Sequence, residues 1–441
     1  MMMLSQRSRT SYVSVTLLAI VLALTVPATA SVGNGDLETA LDRYISAEDP
    51  AYSYVVVGEP VNKGLYSVVT LTLFSQRWQE FTWIHNVTMY VPLFCRESGP
   101  VTILVNGGAT PSKDLQGLSA VAVATQTPLA ILGRVPNQPL YGLKEDALIA
   151  YTFAKYMETG DETWPLLLPM TKSAVACMDA LDSYFASQGK FKPEGYVIVG
   201  ASKRGWTSWL SAAVDPRVMG IIPLVYDNLN LQAQLDNHLA SWGEYSPMIH
   251  DYTDLDIPSY LSSEQGADLA RIVDPYTYID RMHMPKLIVI GSNDPYWPLG
   301  SVNIYFDDLK GDNYLMIMPN AGHSAGDMDR LLTGVMAFLR HVGGTLELPN
   351  LSWDFSVDEE RGVVKASISA SDDSVIQLWQ ASSDTTDFRN SEWTLIGEPA
   401  KGPSVEFELP LPESGKQAVF ADITTNLLGS DVTFTTTPFI Y

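Results

Sequence analysis

The sequence predicts an α/β protein carrying a mostly parallel, eight-stranded sheet, and three observations lead there. From Tyr66 to about Arg340, short β-branched runs alternate with longer helical patterns, the rhythm of parallel strands covered by helices on both faces. That rhythm stops between Asp227 and His283, where a stretch rich in Tyr, Trp, Ser and Asp is too long for a plain connection and reads as a cap inserted at about 228–283. After Gly343 the pattern changes to short alternating runs broken by Asp, Ser, Gly and Pro, which suggests a C-terminal β-sandwich of immunoglobulin or fibronectin type.

The expected strands are 66–75, 87–92, 101–106, 129–135, 196–200, 218–225, 287–291 and 314–318. The first two can form a hairpin, so an antiparallel start leads into a parallel series. Helices are expected at 113–125, 146–158, 171–187, 204–214 and 327–342, and C-terminal strands at 363–368, 375–381, 405–409 and 419–424. The expected division is a leader at 1–30, a main domain at 31–345 with its cap, and the sandwich at 346–441. That last segment has no His and no Cys, so chemistry is not expected in it.

The leader is read from Arg7 and Arg9 ahead of an apolar run, followed by Ala28-Thr29-Ala30, a small-x-small cleavage pattern. A secreted protein with no stable membrane insertion is expected once it is removed. The full chain of 441 residues has 27 Lys+Arg against 50 Asp+Glu, a formal charge of −23. Nucleic acid and anionic membrane surfaces would repel such a body. Asn86-Val87-Thr88 and Asn350-Leu351-Ser352 fit the glycosylation acceptor pattern. Two cysteines, Cys95 and Cys177, allow one bridge or two buried free thiols, and the sequence leaves both open. No recognised metal-ligand spacing occurs, the acidic turn with His250, Asp251, Asp254 and Asp256 included, and no G-x-G-x-x-G or P-loop occurs. Neither a metal nor a cofactor is expected.

The chemistry is concentrated at Gly200-Ala201-Ser202-Lys203-Arg204-Gly205-Trp206, where an apolar strand runs directly into a helix. A nucleophile on such a turn points its hydroxyl out at the sheet edge, while the helix N-terminus offers backbone N–H groups to an oxyanion. Ser202 is therefore the candidate nucleophile. Arg204 occupies the position of the second glycine in G-x-S-x-G, so its side chain must project away and Gly205 must supply the clearance. Asp294 follows one buried strand and His323 the next. The chain order Ser, Asp, His is that of the α/β-hydrolase fold, with His323 as base and Asp294 as the orienting acid. Asp227, just past the preceding strand, is the alternative acid. The Lys203 backbone N–H and that of Gly107 or Gly108 are the candidate oxyanion donors.

The chain also carries Thr72-Leu73-Phe74-Ser75-Gln76-Arg77-Trp78, Pro136-Asn137-Gln138-Pro139-Leu140, Glu145 to Thr152 and Pro169-Met170-Thr171-Lys172 besides Gly200 to Trp206 and Pro319 to His323. In them the chain resembles the PhoPQ-activated pathogenicity-related protein family, which includes autocrine proliferation repressor proteins. The resemblance spans nearly the whole mature chain, reaching Trp379 and Asp387-Phe388-Arg389. It implies an α/β-hydrolase fold with a C-terminal β domain. The displaced glycine is similar to the Gly-x-Ser-x-x-Gly elbow of glucuronoyl esterases. Two functions are thus expected to compete: a serine hydrolase acting on a small ester or peptide, and an extracellular signalling protein whose hydrolase scaffold binds a cell-surface receptor.

Overall fold

A computed structural model of the chain describes residues 38–109, 117–324 and 326–441. The expected leader and residues 113–116 of an expected helix lie outside these. Thr39–Tyr441 forms one compact unit. Ten helices are labelled in chain order. Of these, α1 (Ala40–Ser46), α2 (Leu118–Thr125), α3 (Glu145–Thr159), α4 (Leu167–Gln188) and α5 (Lys203–Val214) precede the insertion. α6 (Leu231–Trp242), α7 (His250–Thr253), α8 (Ile257–Leu261) and α9 (Gly266–Val273) lie within it, and α10 (Met328–Val342) follows.

The main strands are β1 (Ser53–Val56), β2 (Val61–Asn62), β3 (Tyr66–Trp78), β4 (Phe81–Pro92), β5 (Ser98–Val105), β6 (Leu129–Leu132), β7 (Lys192–Ala201), β8 (Val218–Leu224), β9 (Lys286–Gly291) and β10 (Asn313–Met318). They order as β1-β3-β4-β6-β5-β7-β8-β9-β10, with β2 on β3. Pairing is antiparallel from β1 to β6 and parallel from β6 to β10. This is the α/β-hydrolase arrangement, an antiparallel start running into parallel strands whose C-terminal ends share one edge.

Side chains alternate between two cores, as period-2 strands buried on both faces must. Tyr196 and Ile198 of β7, Ile288 and Ile290 of β9, and Leu315 and Ile317 of β10 join one cluster with α4 and α5. Val197, Val199, Leu287, Val289, Met316 and Met318 face the other way, against α2 and α10.

The sheet is larger and more mixed than the eight strands expected, because it does not stop at β10. Beyond it lie β11 (Ser352–Asp358), β12 (Val363–Ser369), β13 (Val375–Ser383), β14 (Thr394–Lys401), β15 (Ser404–Pro410), β16 (Lys416–Leu427), β17 (Ser430–Thr435) and β18 (Phe439–Ile440). Strand β17 pairs with β10 through Leu315 and Thr435, so β17, β16, β13 and β14 continue the main sheet, and the whole has fifteen strands. Strands β11, β12 and β15 form a separate three-stranded sheet that shares an apolar cluster with β13 and β16. Both cysteines are free thiols, and burial pushes that of Cys177 well up and that of Cys95 up to about 11.

One ion pair ties the C-terminal strands to the main body. Arg330 of α10 forks onto Asp422 of β16 at 2.6 and 2.7 Å, Trp379 donates its indole N–H to the same carboxylate at 2.9 Å, and Arg330 also reaches the Ile317 carbonyl. Both charged side chains are mostly buried. Removing one partner leaves the other charge desolvated and unpaired, which costs far more than losing a surface pair. Asp422→Ala is expected to lower unfolding stability by about 3 kcal/mol in urea titration. A loss under about 0.5 kcal/mol would mean the pair behaves like an exposed one.

Candidate active site

The turn between β7 and α5 holds Ser202 at φ 54°, ψ −126°, a strained conformation for a residue with a side chain. Strand and helix approach so closely that a Cβ on Gly200 would lie 2.1 Å from the Arg204 carbonyl oxygen, and one on Gly205 2.8 Å from the Tyr226 Cβ. Both sites therefore exclude any other residue. The Ser202 N–H is tied to the Leu224 carbonyl at 2.8 Å.

Three side chains from separate strand ends meet here. His323 Nε2 lies 3.0 Å from Ser202 Oγ, and His323 Nδ1 lies 2.8 Å from Asp294 Oδ2. A carboxylate can only accept, so Nδ1 carries the hydrogen and Nε2 is left to accept from the serine hydroxyl. Tyr296 covers the imidazole, with ring centroids 4.0 Å apart. Asp294 is buried and takes a second hydrogen bond from the Tyr296 N–H at 2.8 Å.

Asp227, the alternative acid, is not brought to the imidazole. It is buried, and its Oδ1 accepts from the Tyr305 hydroxyl at 2.9 Å. Lys203 opens α5, so its backbone N–H is among the first-turn groups with no intrahelical acceptor. Gly107 and Gly108 follow β5, whose Val105 is in register with Gly200 of β7, which brings both glycines to the same sheet edge.

Arg204 does project away, and its destination was not foreseen. Its guanidinium forks onto Glu145 at 2.6 and 2.8 Å and donates to the Val135 carbonyl at 2.7 Å. A Cβ on Gly107 would strike that guanidinium, so this glycine makes room for the arginine. Lys203 Nζ sits 3.0 Å from both Glu145 and Asp146. Burial works against the Glu145 carboxylate, but Arg204, the Gln138 amide and Lys203 outweigh it and hold its pKa at about 2. In the sequence these two acids stand out only as the start of the run Glu145 to Thr152.

The loops bearing Asp294 and His323 are locked to each other and to the C-terminal segment. Gly291 lies so near the carbonyls of Ala321 and Gly322 that no Cβ fits. The Asn320 N–H donates to Ser292 Oγ, and the Asn293 N–H donates to the Ala321 carbonyl. The Asn293 amide, next to Asp294, donates to the carbonyls of Phe388, Arg389 and Ser391 at 2.7 to 3.3 Å. Asn320 exchanges two hydrogen bonds with the Trp393 backbone at 2.8 and 2.9 Å. Asn293 belongs to no run singled out in the sequence, and Asn320 stands there only as part of Pro319 to His323.

A cleft opens beside Ser202, lined by Phe153, Trp206, Tyr226, Leu231, Leu235, His238, Ile249, Tyr252, Trp297 and others. Of the insertion's aromatics, Tyr252 lines it, whereas Tyr276 turns away to Asp308. His85 lies elsewhere, fully buried between Ser75 and the Gly133 carbonyl, and burial pushes it down to about 4. Among the described residues no group of three or more His, Cys, Asp or Glu could hold a metal, and no helix is long and apolar enough to cross a membrane.

Two expected outcomes follow from these contacts. Asn320→Ala is expected to cost about 1–3 kcal/mol, because it orphans backbone groups of Trp393, and to speed amide hydrogen exchange around His323; unchanged exchange there would remove the lock from the account. The second concerns Asp227, which burial pushes up to about 8, opposed by the Tyr305 hydroxyl and helped by the charge of Asp294. The folded chain thus keeps this proton to higher pH than the unfolded chain, so the linked stability is complete below about pH 4 and lost as pH rises through about 8. Between pH 5 and 8 the wild type is expected to lose on the order of 3 kcal/mol more than Asp227→Asn, measured by urea unfolding. Parallel curves would show an ionised Asp227.

A family model described as PhoPQ-activated pathogenicity-related protein matches residues 41–389. Autocrine proliferation repressor protein A of Dictyostelium discoideum is 31% identical over 382 residues, covering 80% of this chain and 76% of that protein. Among solved structures, acetyl xylan esterase 1 from Thermoanaerobacterium sp. JW/SL YS485 shares 14% identity, with 69% of this chain and 92% of that one covered at a TM-score of 0.47. The glucuronoyl esterase from Solibacter usitatus shares 12%, with 69% and 91% covered at 0.43. On the family match and the Dictyostelium relative together, the chain belongs to the PhoPQ-activated pathogenicity-related protein family.

Proposed function

We propose that the protein is a secreted serine hydrolase that cleaves an ester or peptide bond through an acyl-enzyme. The observation that carries this is a single imidazole, that of His323, in hydrogen-bond contact with Ser202 Oγ on one nitrogen and Asp294 on the other. In this reading Ser202 Oγ attacks the carbonyl carbon while its proton passes to His323 Nε2, and Asp294 stabilises the imidazolium that results. The Lys203 N–H and that of Gly107 or Gly108 hold the oxyanion. The tetrahedral adduct collapses, the leaving group departs with the proton from His323, and water, deprotonated by the same ring, releases the acid. No cofactor enters. Export through the leader at 1–30 and modification at Asn86 and Asn350 belong to the same proposal, as does a sandwich-type C-terminal module.

The name of the Dictyostelium relative favours a second reading, an extracellular signal that uses the scaffold without turnover. A fluorophosphonate probe separates the two. The first reading expects covalent labelling of the folded wild type, none of Ser202→Ala, a labelling rate about 10³-fold lower or worse for Asp294→Asn, and near wild-type labelling for Asp227→Asn. A folded wild type that takes no label would support the second.

A further inference from the structure

The cleft beside Ser202 shows which substrates it suits. Its charges are already spent on one another. Lys203 and Arg204 are the cations at its edge, and Glu145 and Asp146 answer them at 2.6 to 3.0 Å; Asp146 also accepts from the Tyr252 hydroxyl at 3.1 Å. Two positive and two negative side chains cancel, so a substrate carboxylate or ammonium would have to strip a formed pair before gaining a partner. Arg389 is no exception, since it is forked onto Asp387 and lies over the Trp242 ring at 4.0 Å.

What the wall does offer is a neutral donor. His238 is 1% exposed and forms part of the cleft lining. Its Nδ1 accepts the Ser246 N–H at 3.2 Å, so the hydrogen sits on Nε2, which has no partner among the described residues. Burial, with the charge of Arg389 adding to it, holds the ring neutral by pushing it down to about 4. Trp297 lies edge-on to it at 5.8 Å, also lines the cleft, and has a buried indole N–H without an acceptor. A buried donor with nothing to donate to is costly unless a ligand satisfies it, and the surrounding surface is aliphatic and aromatic.

We infer that the site takes an uncharged ester whose apolar acyl body carries a hydrogen-bond acceptor, read by His238 Nε2–H. This rests on Ser202 being the nucleophile. It makes His238 a specificity residue rather than part of the bond-breaking machinery, because the imidazole in contact with Ser202 Oγ is that of His323. The pairing discriminates in a particular direction: a substrate without the acceptor enters but leaves the donor unpaired, and a site built to hydrogen-bond rejects such an analogue more strongly than it rejects a missing methylene.

The test uses the full mature chain and four probes: p-nitrophenyl hexanoate, its 5-oxo analogue, mono-p-nitrophenyl adipate with a free carboxylate, and Gly-Pro p-nitroanilide with a free amine. The wild type is expected to show kcat/KM about tenfold higher for the 5-oxo ester than for hexanoate, with both charged probes lower still. In His238→Phe, that tenfold preference is expected to vanish, leaving kcat/KM on the two neutral esters within about twofold of each other. The wild-type ratios stand whether or not the variant folds. Preference for either charged probe, or equal rates on the two neutral esters, overturns the inference. Fluorophosphonate labelling run alongside keeps two failures apart. Labelled protein that cleaves neither neutral ester overturns the substrate class alone, whereas unlabelled wild type overturns the assignment of Ser202 and this inference with it.

Discussion

The rest of the site depends on how closely β7 and α5 approach at Ser202. A Cβ on Gly200 would strike the Arg204 carbonyl and one on Gly205 the Cβ of Tyr226, and Ser202 between them is held at positive φ. Strain of this kind persists only where surrounding contacts over-determine it. Here they come from both sides: the Leu224 carbonyl fixes the Ser202 N–H, and Trp206, one turn on, stacks on Tyr226 and donates to the Val273 carbonyl. The hydroxyl is thereby presented by rigid elements rather than by a loop.

The partners of Ser202 have no such rigidity of their own, since Asp294 and His323 stand on loops. Their placement is borrowed. Asn293 and Asn320 fasten both loops to the backbone of residues 388–393, and Arg330 fastens the strand ahead of His323 to β16. The C-terminal strands, which carry no candidate catalytic side chain, therefore set the geometry in which the histidine meets the serine. A small displacement of such supports is felt at the reacting atoms, because proton transfer tolerates little error in distance.

Around this centre the cations are answered by carboxylates. Arg204 in the place of a glycine looks like a defect in the elbow until Glu145 and the Val135 carbonyl are seen to receive it. Asp227, which accepts from the Tyr305 hydroxyl, is pushed toward its neutral form by burial, whereas Asp294 has the imidazole. Two buried carboxylates at neighbouring strand ends thus meet different partners.

Much of the strand framework was legible because it rests on local pattern. Each of the eight apolar runs between Tyr66 and Met318 overlaps a strand, although 101–106, 129–135 and 218–225 run one to three residues past its end, and the order of Ser202, Asp294 and His323 along the chain could be read directly. Boundaries failed where polar residues turn out to be buried. Strand β3 continues past Ser75 through Gln76 to Trp78, with the Gln76 amide satisfied inside by the Pro169 carbonyl and Ser173 Oγ. Strand β4 begins at Phe81 rather than 87 for a similar reason, with His85 hidden in the same network. The edge strands β1 and β2 were missed because their side chains are mostly exposed and give no alternation. By itself the sequence determined what its periodicity and small-residue turns encode: strands, helices and the sharp turn that lifts a serine. Which acid reaches the histidine, where Arg204 goes, and that residues 388–393 hold the catalytic loops were decided only by tertiary structure, because those contacts join residues about 30 to 120 positions apart through single hydrogen bonds that leave no local pattern.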